Sequence, residues 1–183
     1  MSRLYKTEKD FLNAIENHLK ECGCKTWREV IPDEEKNKYL PLRVDLIFYK
    51  EEFGYIAVEG KNFRSLRQGG AFAKGLIQLK KYCNLHYFNG IKINRWCITL
   101  PPSQSLPCVT SDENKEIISN EIGTFIQHFI KYMFDFSTID FYENTNPQYN
   151  RVCIDRNNKN SLYISKNEIK GGFINQGDNY VSI

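Results

Sequence analysis

The sequence predicts an α/β fold with a mixed central sheet flanked by helices. Over residues 1–102 the predicted order is helix, three strands, helix and strand. Two observations carry this prediction: apolar residues recur at helical spacing in 7–21 and 71–84, and runs of strand-forming residues bounded by turn residues lie between and after them. With 183 residues, 41% hydrophobic and 26% charged, the chain can bury a core without disulfides, which excludes a disordered protein.

The first element is an amphipathic helix over residues 7–21. Thr7 and Asp10 have the spacing of a capping box, and Gly23 ends the helix. The apolar residues that share one helix face are Phe11, Leu12, Ile15, Leu19 and Cys22. A strand from Lys25 to Ile31 follows, since it is rich in strand formers and stops at a proline.

The next elements are two strands, a loop, a helix and a strand. Leu42–Tyr49 and Tyr55–Lys61 are predicted to form a hairpin, because turn residues separate them. Residues 62–70 are glycine-rich and basic, which indicates a loop. The helix Ala71–Asn84 and the strand Asn94–Leu100 complete the predicted core of residues 1–102.

Residues 103–183 are predicted to be an extension packed on this core. It comprises a strongly amphipathic helix over 112–136 and a hairpin formed by Val152–Asp155 and Leu162–Ser165. The apolar stripe of the helix could bind a partner, including a second copy in a homodimer. We expect it to pack mainly on the chain's own core.

The residue types that suggest chemistry lie on the predicted hairpin. With its turn centred on residue 52, Asp45 lies opposite Glu59 and Arg43 lies opposite Lys61. Because side chains alternate between faces along a strand, all four share one face.

Two carboxylates facing each other across a sheet repel, and partial burial makes them favour a bound cation. Oxygen donors suit Mg²⁺ or Mn²⁺, and a lysine beside the ion can orient or deprotonate a water molecule. Metal, water and cation together meet the needs of phosphodiester hydrolysis. The alternative interpretation is a surface salt-bridge cluster of Arg43, Asp45, Glu59 and Lys61.

Asp45, followed by Glu59-Gly60-Lys61, resembles the D…E-x-K core of the PD-(D/E)XK nuclease superfamily. The predicted element order resembles the αβββαβ core of its restriction-endonuclease-like fold. The proline-aspartate dipeptide of the family name is absent here, since Arg43-Val44 precede the aspartate. The resemblance implies that Asp45 and Glu59 bind Mg²⁺ and that Lys61 positions or activates the attacking water.

Further residues match positions that some branches of this superfamily use. Gln78 and Tyr82 resemble the Q-x-x-x-Y signature, which implies that Gln78 is part of the catalytic site. Glu16 on the first helix matches the place of an additional acidic ligand. The alternative for Gln78 and Glu16 is a solvated helix position.

Four residues near this region are candidates for nucleic-acid binding: Arg64, Arg67, Lys74 and Tyr82. For the first three the alternative is an ordinary solvated surface, and for the tyrosine it is packing. Together these residues imply a Mg²⁺-dependent nuclease that acts on nucleic acid, DNA above RNA. The alternative function is a non-catalytic nucleic-acid- or protein-binding module, such as an inhibitor or adaptor, on the same fold.

The net charge, the cysteines and the hydropathy restrict the partners and the cellular location that we expect for this protein. The net charge of +3 is compatible with a nucleic-acid partner without requiring one. No apolar run approaches the length of a membrane span, and residues 1–6 lack the apolar core of a signal peptide, so we expect a cytoplasmic protein. The six cysteines lack zinc-ribbon or Fe–S spacing, and we expect reduced thiols.

Overall fold

The computed structural model describes residues 7–60, 71–99, 133–155, 161–171, 174–175 and 179–180. It confirms an α/β fold with a mixed central sheet. The described elements are α1 (Glu8–Glu21), β1 (Lys25–Val30), a 3-10 turn (Asp33–Glu35), β2 (Val44–Lys50), β3 (Gly54–Gly60), α2 (Ala71–Tyr82), β4 (Tyr87–Phe88), β5 (Ile91–Thr99), β6 (Ser137–Tyr142), a second 3-10 turn (Pro147–Tyr149), β7 (Arg151–Asp155), β8 (Leu162–Ser165), β9 (Ile169–Gly171), β10 (Ile174–Asn175) and β11 (Asn179–Tyr180).

The main sheet has the strand order β1-β2-β3-β5-β6-β7-β8-β9, with β4 paired to β5. Strands β3, β5 and β6 run parallel to one another, and the other pairings are antiparallel. The predicted hairpin of the extension is confirmed as β7 and β8. Because β6 pairs with β5, the described strands of the extension continue the sheet of the core.

Several expectations lie outside the described residues. They are the loop 62–70, the linker after residue 100, and most of the helix predicted over 112–136. The expected homodimer contact on that helix is therefore not described either. Among the described helices none is long and apolar enough to cross a membrane.

Helix α1 covers one face of the sheet. Its predicted capping box is present, since Thr7 Oγ1 accepts the Asp10 N–H at 3.1 Å and Asp10 Oδ2 accepts the Thr7 N–H at 3.2 Å. The buried side of the helix packs against inward-facing residues of β2, β3 and β6–β8. The fully buried members that fill this layer include Phe11, Ile15, Leu19, Leu46, Phe48, Ile56, Ile139, Ile154 and Ile164.

Helix α2 covers the opposite face, over β2, β3 and β5. Leu79 and Tyr82 of the helix pack with Ile47, Ala57 and Ile98 from the strands. Buried aromatic rings extend this layer along β5, where Trp96 lies between Tyr82 and Phe136. The sheet therefore separates two apolar layers, and a polar side chain on the α2 side is remote from α1.

His18 joins α1 to the far part of the sheet. Its Nε2 lies 3.1 Å from the Ile164 carbonyl oxygen of β8 and 3.4 Å from Cys22 Sγ, and the residue is 3% exposed. Burial lowers the pKa of His18, and this exceeds the opposing effects of the Ile164 hydrogen bond and the nearby Glu21 carboxylate. Burial also raises the pKa of Cys24 to about 12, so this thiol is protonated and packs as an apolar group.

The burial of His18 predicts a loss of stability in weak acid. In the unfolded chain a histidine gains its proton near pH 6.5, whereas His18 in the folded protein resists protonation until lower pH. The unfolded state binds more protons in this window, so the free energy of unfolding falls as pH drops, by at most about 1.4 kcal/mol per pH unit. Urea unfolding at pH 7.5 and 5.5 measures the decrease, which His18→Gln should reduce.

His86→Gln is the matched control, because His86 is exposed. Its pH dependence should equal that of the wild type. If the free energy of unfolding falls equally between pH 7.5 and 5.5 in the wild type and in His18→Gln, the assignment of the pH effect to His18 is contradicted.

Candidate active site

The register of the β2–β3 hairpin agrees with the sequence prediction. Tyr49 pairs with Tyr55, and the ladder continues to the pair Leu46–Val58. One residue further this register places Asp45 beside Glu59. There the Gly60 N–H, instead of continuing the backbone ladder, donates to Asp45 Oδ2 at 2.7 Å. The glycine of E-x-K, to which the sequence analysis gave no role, thus fixes the orientation of the aspartate.

Glu59 lies at the end of β3 and is 1% exposed. Its Oε1 accepts a hydrogen bond from Gln78 Nε2 of α2 at 2.9 Å. A buried carboxylate is stable only with hydrogen bonds or a cation to compensate for lost hydration. Gln78 supplies one such bond, which supports the predicted link between this helix position and the acidic site. The burial of Glu59 also argues against the alternative of a surface salt-bridge cluster.

Tyr82 connects this site to the residues before β2. Gln78 Nε2 also donates to the Tyr82 hydroxyl at 2.6 Å, and that hydroxyl donates to the Arg43 carbonyl oxygen at 2.9 Å. Burial raises the pKa of Tyr82, and the charges of Glu59 and then Asp45 raise it further. Both carboxylates therefore lie on the α2 side of the sheet, near the same phenol.

The prediction that Tyr82 contacts nucleic acid is wrong. The side chain is fully buried, and its ring stacks on Trp96 with centroids 5.1 Å apart. The alternative of packing is confirmed. The four-residue spacing to Gln78 is the same for a contact residue and a packing residue, which is why the sequence did not separate them.

Glu16 is not brought to the acidic pair, and its prediction as a metal ligand is not supported. Its Oε1 accepts from Thr26 Oγ1 at 2.9 Å and from Lys20 Nζ at 2.8 Å, on the α1 side of the sheet. Burial tends to raise the pKa of Glu16, but these hydrogen bonds outweigh that effect and hold the pKa below its usual value. Arg43 also points elsewhere, since its Nη1 donates to the Glu29 carbonyl oxygen at 3.3 Å.

Other predicted site residues are only partly placed. Lys61, Arg64 and Arg67 lie outside the described residues. Lys74 belongs to α2, one turn before Gln78, but its side chain is not among those described.

The donor set fits Mg²⁺ or Mn²⁺ better than a fully protein-coordinated metal. Within the described residues, no group of three or more His, Cys, Asp or Glu side chains could hold a metal ion. Mg²⁺ is commonly bound by one or two carboxylates, with water and substrate phosphate completing its shell. Asp45 and Glu59 meet this requirement, whereas a structural zinc site needs four protein ligands.

Comparison of the chain with protein-family models, with curated proteins and with solved structures gives no match.

The hydrogen bonds of Tyr82 predict that its hydroxyl stabilises the site region. In Tyr82→Phe the Arg43 carbonyl oxygen loses its donor, so the free energy of unfolding should fall by about 1–3 kcal/mol. Urea denaturation checks this value. Tyr163→Phe is the matched control, because Tyr163 is partly exposed. An unchanged midpoint in Tyr82→Phe would contradict a structural role for this hydroxyl.

Proposed function

We propose that this protein is a metal-dependent nuclease with a restriction-endonuclease-like core, and that it hydrolyses phosphodiester bonds, most readily of DNA. The observation that carries the proposal is the buried Glu59 carboxylate, held by Gln78 beside Asp45 at the end of the hairpin. A buried carboxylate beside a second, partly buried one is costly for folding, and cation binding offers a reason to retain the two.

The residues have distinct roles in this proposal. Asp45 and Glu59 would hold Mg²⁺ or Mn²⁺, and the bound ion would supply an activated water and neutralise charge on the phosphate. The Gly60 N–H orients Asp45, and Gln78 orients Glu59, so both carboxylates are fixed before substrate arrives. On sequence grounds Lys61, two residues after Glu59, positions the attacking water and stabilises the developing phosphate charge.

Cleavage of plasmid DNA with a series of metals tests the proposal. Wild type should nick or linearise the plasmid with Mg²⁺ or Mn²⁺ and be inactive in EDTA. Asp45→Asn and Glu59→Gln should each lower the rate by about 100-fold or more, because each removes a charged ligand.

Glu52→Gln is the matched control on the same hairpin. Glu52 lies at the turn, remote from Asp45, and pairs with Lys50 at 3.5 Å. The cleavage rate of the Glu52→Gln variant should therefore equal that of the wild type. A wild type that binds DNA but cleaves neither plasmid nor single-stranded substrates with any metal would contradict the nuclease proposal and favour a non-catalytic binding module.

The roles of ligand and lysine predict different effects. Lys61→Ala should abolish most cleavage while Mg²⁺ affinity stays near wild type, because the lysine acts on water and phosphate. Isothermal calorimetry of Mg²⁺ binding separates the two cases, with Asp45→Asn as the variant that loses affinity. Loss of Mg²⁺ binding in Lys61→Ala would contradict the proposed division of roles.

A further inference from the structure

The segment between the first 3-10 turn and β2 places two large apolar side chains in solvent. Tyr39 is 97% exposed and Leu40 is 82% exposed, and they are adjacent in sequence. Proline follows them at position 41, which restricts the backbone of the loop tip. Together these two adjacent side chains form a small apolar surface that a ligand can cover. We call residues 36–43 the finger loop.

The base of the finger loop is held by a buried acid. Glu35 is 2% exposed, its Oε2 accepts the Leu42 N–H at 2.9 Å, and its Oε1 accepts Lys38 Nζ at 2.5 Å. Burial tends to raise the pKa of Glu35, but these donors outweigh that effect and hold the pKa below its usual value. One carboxylate therefore ties both sides of the loop together, so the exposed tip is presented by an anchored base.

The finger loop presents cations, although three acids precede it. Asp33 accepts the N–H groups of Asn89 and Gly90 at 3.2 and 2.6 Å, and Glu34 accepts the His86 N–H at 2.7 Å. These acids, like Glu35, accept backbone N–H groups of the protein, and Asp33 and Glu35 also pair with Lys36 and Lys38. The loop itself contains Lys36, Lys38 and Arg43 and no acid, and all three cations are exposed.

The lysines remain available to an anion. Lys36 Nζ lies 2.6 Å from Asp33 Oδ1, and its side chain is 51% exposed. Lys38 is similarly exposed beside Glu35. Each ammonium group has three N–H donors, so a phosphate can bind a lysine that still pairs with its carboxylate.

The loop is connected directly to the candidate active site. The Arg43 carbonyl oxygen accepts from Tyr82, which is bonded to Gln78 and through it to Glu59. Leu40 also borders a cavity of about 320 Å³ beside the end of α2, which places the tip on the α2 side. The apolar tip, Lys38, which borders the same cavity, and the acidic pair are thus on the same side of the sheet.

We propose that Tyr39 and Leu40 insert between bases of the nucleic-acid substrate, next to the phosphate that the acidic site would cleave. This proposal rests on the proposed function. Aromatic rings stack on bases of any sequence, and aliphatic wedges separate base steps in duplex DNA. Lys36, Lys38 and Arg43 hold the flanking phosphates, which makes binding salt-dependent but not sequence-specific.

The test measures binding in EDTA, so that it does not depend on cleavage. The probe is a short fluorescein-labelled DNA duplex, read by anisotropy, and a second duplex with 2-aminopurine reports unstacking of bases. The double variant Tyr39→Ala/Leu40→Ala should bind about tenfold more weakly and lose the 2-aminopurine increase. Tyr39→Trp should retain both, because its ring can still stack.

Tyr149→Ala is the matched control, since Tyr149 is 59% exposed on the second 3-10 turn. Its affinity should equal wild type. The urea midpoint of the finger-loop variant should also be unchanged, because the tip packs on little of the protein.

Equal affinity of wild type and the double variant, or no duplex binding by wild type, would overturn the finger-loop proposal. Duplex binding that depends on Tyr39 and Leu40, without plasmid cleavage in any metal, would support the finger-loop proposal and contradict the proposed nuclease activity. If the double variant cleaves plasmid and binds the duplex with wild-type affinity, the proposed nuclease activity is supported and the finger-loop proposal is contradicted.

Discussion

The burial of the Glu59 carboxylate is the constraint on which the arrangement of the site depends. The residue belongs to an interior strand of the sheet, where β3 pairs with both β2 and β5, so its side chain cannot reach water by moving the backbone. Helix α2 must therefore bring a polar donor to this position. Gln78 meets that need, and the Tyr82 hydroxyl extends the chain of hydrogen bonds to the residues before β2.

This requirement explains the pattern of α2. One side of the helix must bury Leu79 and Tyr82 in the apolar layer and also present Gln78 to a carboxylate. The tyrosine reconciles the two needs, because its ring stacks on Trp96 while its hydroxyl joins the polar chain. A buried network of this type is stable only when its members are satisfied, and it fixes the position of the helix on the sheet.

The sequence predicted features that depend on local spacing. The hairpin register followed from strand parity about one turn, and the cap of α1 followed from Thr7 and Asp10. For Glu16 and Tyr82 the sequence left two interpretations open, because helical spacing identifies a face but does not say which layer that face meets. Strand β6 was not predicted, since it pairs in parallel with β5, a contact distant in sequence.

Net charge was equally uninformative about where cations are available. The three acids at 33–35 cancel the two lysines and the arginine of the finger loop in a local sum of charge, yet the two sets have different surroundings. The acids accept hydrogen bonds from backbone N–H groups. Asp33 and Glu35 also pair with Lys36 and Lys38, but the lysine side chains are more than half exposed beside the apolar tip. A phosphate approaching this loop would meet Lys36 and Lys38 before the less exposed carboxylates that pair with them. The finger loop thus presents positive charge because it contains no acid of its own and because Asp33 and Glu35, which pair with its lysines, are less exposed than the lysines.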